Sequence, residues 1–215
     1  MASDLSNPEV APAMARLLAE RQSKLDAGAT SLGWKVGINA PALQAHLGIS
    51  GPVVGYLCDR SELAPGRAVA ISGWHRAMLE VEVAIRIGAG GRIAGLSPAL
   101  ELVDLDLPFE RIGPILEHNI FHRGVMFGPE AQGALVGGLG VEVTKGDDVI
   151  ATGNLLEAPE ITLAAVESFL AAHGAALSVG ERIIAGSLTP PVPVEPGDHL
   201  EVSYGAFGAF SVSFI

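Results

Sequence analysis

The chain has 215 residues, 49% hydrophobic and 17% charged, which is enough apolar material for one domain with a sizeable core and excludes a disordered chain. Lys and Arg number 13 against 24 Asp and Glu, a formal charge of −11, so the clustered cations that nucleic acids and anionic membranes demand are missing. A single cysteine, Cys58, excludes an internal disulfide framework and a Cys-rich zinc site. The first residues lack the basic-then-apolar pattern of a signal peptide, and no run reaches about 18 apolar residues, so a cytoplasmic protein is expected. Residues 8–27 carry Val10, Met14, Leu17, Leu18 and Leu25 at helical spacing with charges opposite, which predicts a helix stopped by Gly28. A second short helix is expected over 39–48, with Pro41 near its start and Gly48 after its end. From residue 52 onward short apolar runs are broken by Gly, Pro and Asp. Strands are expected at 53–57, 68–71, 79–87, 125–127, 135–143, 182–185, 199–204 and 207–210, and one more helix at 160–173. Few helices, many strands and no regular βα alternation predict an α+β, mostly-β domain. The whole of 1–215 reads as one domain, with a helical segment at about 8–48 packed on a β-rich core at 52–215.

Three places carry candidate chemistry. Lys35 sits between apolar neighbours in Gly33-Trp34-Lys35-Val36-Gly37, either as a surface lysine in a turn or as a partly buried proton carrier. In Leu79-Glu80-Val81-Glu82-Val83, a strand puts Glu80 and Glu82 on one face roughly 6–7 Å apart at Cα. Such a pair is either the solvated face of an edge strand or a site where something positive relieves the repulsion. Glu101 is an acid flanked by Leu100 and Leu102, and a charge in that setting needs a partner. Three carboxylates brought together would make an all-oxygen site suited to Mg²⁺ or Mn²⁺. The 6 histidines include no HExxH motif; His118 and His122, with three residues between them, share a helix face if 118–122 is helical.

Taken in order, Gly33-Trp34-Lys35-Val36-Gly37, Gln44 with Leu47-Gly48, Leu57-Cys58-Asp59, Glu80-Val81-Glu82, Pro98-Ala99-Leu100-Glu101, Ala185-Gly186-Ser187-Leu188-Thr189, Pro196-Gly197-Asp198 and 205–210 resemble the 2-keto-4-pentenoate hydratase / 4-oxalocrotonate decarboxylase family of the fumarylacetoacetate hydrolase superfamily. The resemblance runs from about residue 10 to the end. It implies a mixed β-sheet roll with a few peripheral helices and the site at its mouth. It implies Mg²⁺ or Mn²⁺ held by Glu80, Glu82 and Glu101, with Lys35 as acid–base group and Asp59 beside it. Ser187, Leu188 and Thr189 are implied to line the pocket of a small 2-oxo or 2-hydroxy acid, and the assembly is implied to be a homo-oligomer.

The expected reaction is hydration of a 2-hydroxy-2,4-dienoate to a 4-hydroxy-2-oxo acid through a stabilised enolate. Decarboxylation of a 4-oxalocrotonate-type diacid uses the same groups. Acylpyruvate hydrolysis is the rival in other branches of the superfamily, where a His-Glu pair on an N-terminal lid resembles the water-activating device; here no histidine precedes His46. A catalytically idle binding or assembly subunit is the non-enzyme alternative. The chain departs from the family pattern around its pocket. Asp104-Leu105-Asp106 lacks the family's nearby arginine, His118-Asn119 replaces an Asp-Asn pair, and 152–159 is poor in glycine.

Overall fold

The computed structural model describes residues 7–130, 139–155 and 157–215. In chain order these form α1 (Val10–Asp26), β1 (Ser31–Gly37), α2 (Pro41–His46), β2 (Val53–Cys58), β3 (Ala77–Ile87), β4 (Ile93–Asp104), α3 (Ile112–Glu117) and β5 (His122–Phe127). They continue through β6 (Gly140–Lys145), β7 (Asp148–Asn154), α4 (Pro159–Ala172), β8 (Arg182–Ile184), β9 (Val192–Pro193), β10 (His199–Ser203) and β11 (Ala209–Ser213). The expected α+β class and mixed curled sheet are what the chain adopts.

One sheet runs β2-β1-β8-β3-β4-β5, with β9 also paired to β3; a second, antiparallel, runs β11-β10-β6-β7. The parallel pair in the first sheet is β1 with β8. The long antiparallel pair β3–β4 is its spine. One face of this spine carries Val81, Val83, Ile85, Leu100 and Leu102 into the main core, joined there by Trp34 and Ile183. The other face carries a smaller apolar cluster of Leu57, Ala84, Ala99, Val125 and Ile184 beneath the polar residues described below. Helix α1 buries Val10, Ala13, Met14 and Leu17 and packs on α3.

Several expectations change. The Gly33–Gly37 segment is not a turn but strand β1. Gly33 is required there by close approach: a Cβ on it would lie 1.9 Å from the Arg182 carbonyl oxygen. Residues 68–71 make a single bridge, Val69 to Phe214, instead of a strand. The last strand starts at Ala209, because Gly205–Phe207 coil into a 3₁₀ turn. Helix α3 and strand β7 were not expected, and part of the expected 135–143 strand lies outside the described residues.

Candidate metal centre

Strand register decides which side chains meet. Glu80 and Glu82 point to one face of β3, and the antiparallel partner directly opposite Glu80 is Glu101 of β4. Opposed residues share a face, so the ladder alone converges all three acids. Each offers an oxygen within 4.8 Å of the others, and no second such group of His, Cys, Asp or Glu occurs among the described residues. Glu82 and Glu101 are fully buried, while Glu80 is open to a cavity. The solvated edge-strand alternative is therefore wrong: β3 is a central strand with neighbours on both sides.

Three buried acids in contact repel. Burial, then the Glu101 charge, pushes Glu80 up to about 7, against the pull of Lys35. Burial and both neighbouring carboxylates push Glu82 well above the usual range, although the Gly186 N–H donates to its Oε2 at 2.8 Å. Burial works the same way on Glu101, but Lys35 and His122 overcome it and hold this carboxyl below its ordinary value. Two oxygens, Glu82 Oε1 and Glu101 Oε2, are buried with no hydrogen-bond partner. A buried orphan carboxylate oxygen is costly, and a divalent cation is the partner an all-oxygen donor set fits.

Lys35 reaches the same face through two ladders. It pairs with Ile184 of β8, which pairs with Ala84 of β3, two residues along from Glu82. Its side chain is 1% exposed, so the surface-turn alternative is also wrong. The Nζ donates to Glu101 Oε1 and, at 3.0 Å, to the Ile120 carbonyl. That carbonyl is aimed by an unusual backbone: Asn119, Ile120 and Phe121 all have positive φ, at 53°, 52° and 63°. For β-branched Ile120 this is a strained conformation, stabilised from outside. Asn119 supplies one such tie, accepting from the Tyr56 N–H at 2.8 Å and donating to the Tyr56 carbonyl at 2.9 Å. Gly55 makes room for this clamp, since a Cβ there would lie 2.5 Å from Asn119 Oδ1.

The sequence pairs His122 with His118 only on the condition that 118–122 is helical, and gives it no place beside the carboxylates. Instead His118 ends α3 and His122 opens β5. A bulge between Leu102 and Val103 puts His122, not Arg123, opposite Val103, on the face that carries Glu101. Its Nδ1 lies 2.7 Å from Glu101 Oε1 and its Nε2 2.9 Å from Ser61 Oγ. Burial holds its pKa below the ordinary histidine value despite the Glu101 charge, which favours the neutral ring that bridges the two.

Lys35 and Glu80 open into a cavity of about 340 Å³, also lined by Ser187 and Thr189. A second cavity of about 510 Å³ is lined by Leu188 and again by Ser187. The 185–188 segment follows β3 through Ala185 N–H to Val83 O and Leu188 N–H to Val81 O, which is how these residues come to line both spaces. Asp59 departs from expectation. It is exposed on the Asp59–Ser61 turn that follows β2 and lines neither cavity. The turn does bring its third residue, Ser61, to His122.

No protein-family model matches the chain. It is 26% identical to a 4-oxalocrotonate decarboxylase from Pseudomonas putida, over 91% of this chain and 81% of that one. It is 28% identical to a 2-oxo-hept-4-ene-1,7-dioate hydratase from Escherichia coli, over 89% and 82%. The solved 4-oxalocrotonate decarboxylase from Pseudomonas putida G7, complexed with magnesium and adipate, superposes with a TM-score of 0.86 at 24% identity, covering 94% of this chain and 85% of that one. The motifs, the curled sheet and these relatives agree in supporting a likeness to the 2-keto-4-pentenoate hydratase / 4-oxalocrotonate decarboxylase family, in the fumarylacetoacetate hydrolase superfamily.

Proposed function

We propose that the protein is a divalent-metal-dependent hydratase that converts a 2-hydroxy-2,4-dienoate to a 4-hydroxy-2-oxo acid. The observation that carries this reading is the buried Glu80–Glu82–Glu101 cluster with two orphaned oxygens, and Lys35 ion-paired at its edge. Glu80, Glu82 and Glu101 would hold Mg²⁺ or Mn²⁺, which when bound supplies electrophilic polarisation of the substrate's C1 carboxylate and C2 oxygen.

The chain's own groups do the rest. Lys35, fixed by Glu101 and the Ile120 carbonyl at the cavity wall, gives a proton to substrate carbon and recovers one from the C2 hydroxyl. The elements of water add along the chain, hydroxyl at C4. Ser187 and Thr189 line the space where the acid would sit. His122 holds Glu101 in one orientation from behind, with Ser61 fixing the ring. Asp59, exposed and away from both cavities, is given no part in proton transfer.

The test is turnover of 2-hydroxypenta-2,4-dienoate, a 4-oxalocrotonate-type diacid and an acylpyruvate, each with Mg²⁺, Mn²⁺ or chelator. Metal-dependent loss of the dienoate chromophore, suppressed by Glu82→Gln, is expected. Metal-independent turnover, or turnover of the acylpyruvate alone, refutes the reading.

A further inference from the structure

Resting on that reading, we infer that the far end of the substrate is uncharged and apolar, and that the enzyme discriminates against dicarboxylates. The cavity that opens from Lys35 and Glu80 continues between Ile38, Leu43, Leu105, Phe109, Phe121 and Pro191. Phe109 and Phe121 face each other with ring centroids 5.1 Å apart. Lys35 is the one basic side chain among its described lining residues, and it is already engaged by Glu101 and the Ile120 carbonyl. Two arginines close in sequence to this wall are committed elsewhere: Arg111 to Glu9 at 2.8 Å and Arg123 to Asp106 at 2.6 Å.

The adjoining cavity, which shares Val36, Asn39 and Ser187 with the first, offers no better berth. Among its described lining residues the one charged side chain is Glu157, which repels a carboxylate. Residues 1–6, 131–138 and 156 contain no Lys, Arg or His side chain that could serve instead. A second carboxylate would leave water and find no counter-charge in either direction, and an unpaired buried charge is among the costliest arrangements in a protein. An alkyl or aryl tail meets complementary surface between Ile38, Leu43, Leu105, Phe109, Phe121 and Pro191, with each added methylene gaining a modest factor.

The experiment separates binding from turnover. Calorimetry on the Mn²⁺-loaded protein compares 2-oxohexanoate with 2-oxohexanedioate, which share head and length, lack the alkene and differ only in the terminal carboxylate. Binding of the monoacid tighter by about 100-fold is expected. Kinetics then compare 2-hydroxyhexa-2,4-dienoate with its terminal dicarboxylate counterpart, where kcat/KM is expected to favour the former by a similar factor. Leu105→Arg, or Leu43→Lys on the short surface helix α2 if the first variant fails to fold, supplies the missing cation and is expected to narrow or reverse the preference. Equal or tighter binding of the diacid by the unmodified protein overturns the inference. Monoacid preference in binding with no turnover of any dienoate supports it while overturning the hydratase assignment. Binding of neither acid to protein that holds Mn²⁺ overturns both.

Discussion

Lys35 carries two demands at once: it compensates the buried Glu101 charge and stands at the cavity wall where a proton must move. Replacing it separates them. Lys35→Met keeps most of the stem and removes the proton, so kcat is expected to fall by about 10²–10⁴. Mn²⁺ affinity is expected to hold or improve, because the positive charge nearest the carboxylates is gone. Steady-state kinetics beside Mn²⁺ titration tests this; near-normal turnover means another group moves the proton. Glu82 behaves oppositely. Glu82→Gln keeps the shape and the acceptor for the Gly186 N–H but removes one ligand charge. Metal affinity is expected to drop at least about tenfold, as loss of a ligand exceeds loss of an outer partner. Metal-free Glu82→Gln should nevertheless melt higher than its metal-free parent above pH 7, since the parent must ionise a carboxyl that burial resists.

Among the elements, the Asn119–Phe121 turn shows how strain and an open sheet edge are joined. β2 is the last strand of its sheet, and the Asn119 side chain covers its outer edge where another strand would pair. Asn119→Ala leaves the Tyr56 N–H and carbonyl without this partner, at a cost of about 2 kcal/mol or more. It also frees the Ile120 carbonyl that orients Lys35, so kcat is expected to fall together with the melting temperature, with Mn²⁺ affinity retained. A lower melting temperature with unchanged kcat would show the turn to be structural only. What the sequence revealed follows the same division. The alternation in β3 is visible because period two is local, and Glu101 stood out as an acid among leucines. Lys35 and the glycines of β1 read equally well as a turn, because Gly33 is demanded by the backbone of β8, some 150 residues away in sequence, and that partner is invisible locally. His122 was hidden for a different reason: its face depends on a bulge, and one inserted residue inverts the parity on which strand reading rests. The exposed position of Asp59 likewise depends on how β2 ends, in a 3₁₀ turn rather than a continued strand.

For the whole molecule, the first sheet makes a floor on which four ionisable side chains from three strands, Lys35, Glu80, Glu82 and Glu101, converge. The second sheet ends on β7, where Val149 and Ile150 are 53% and 43% exposed, an apolar edge suited to self-association. A homo-oligomer is expected, and light scattering that returns a single 22.1 kDa chain at micromolar protein would refute it.

Metal should couple this floor to global stability, with a sign fixed by the acids. Glu80, raised to about 7, and Glu82, pushed well above the usual range by burial and its neighbouring carboxylates, hold protons in the folded chain that they release on unfolding near 4.5. Their contribution is therefore complete below 4.5 and is lost as pH rises through the folded values. Glu101 has the opposite sign, contributing above its ordinary value and losing this as pH falls, and neutral His122 matters only below about 6.5. Between about pH 5 and 7 the raised pair, two groups against the one His122, dominates, and metal-free protein should become less stable. A divalent cation replaces those protons, and binding to the folded chain alone adds stability by mass action. The rise in melting temperature on adding Mg²⁺ is thus expected to be larger at pH 7 than at pH 5.5, and to vanish in Glu82→Gln with Glu101→Gln. A shift independent of pH, or one that survives in the double variant, would place the cation somewhere other than these three carboxylates.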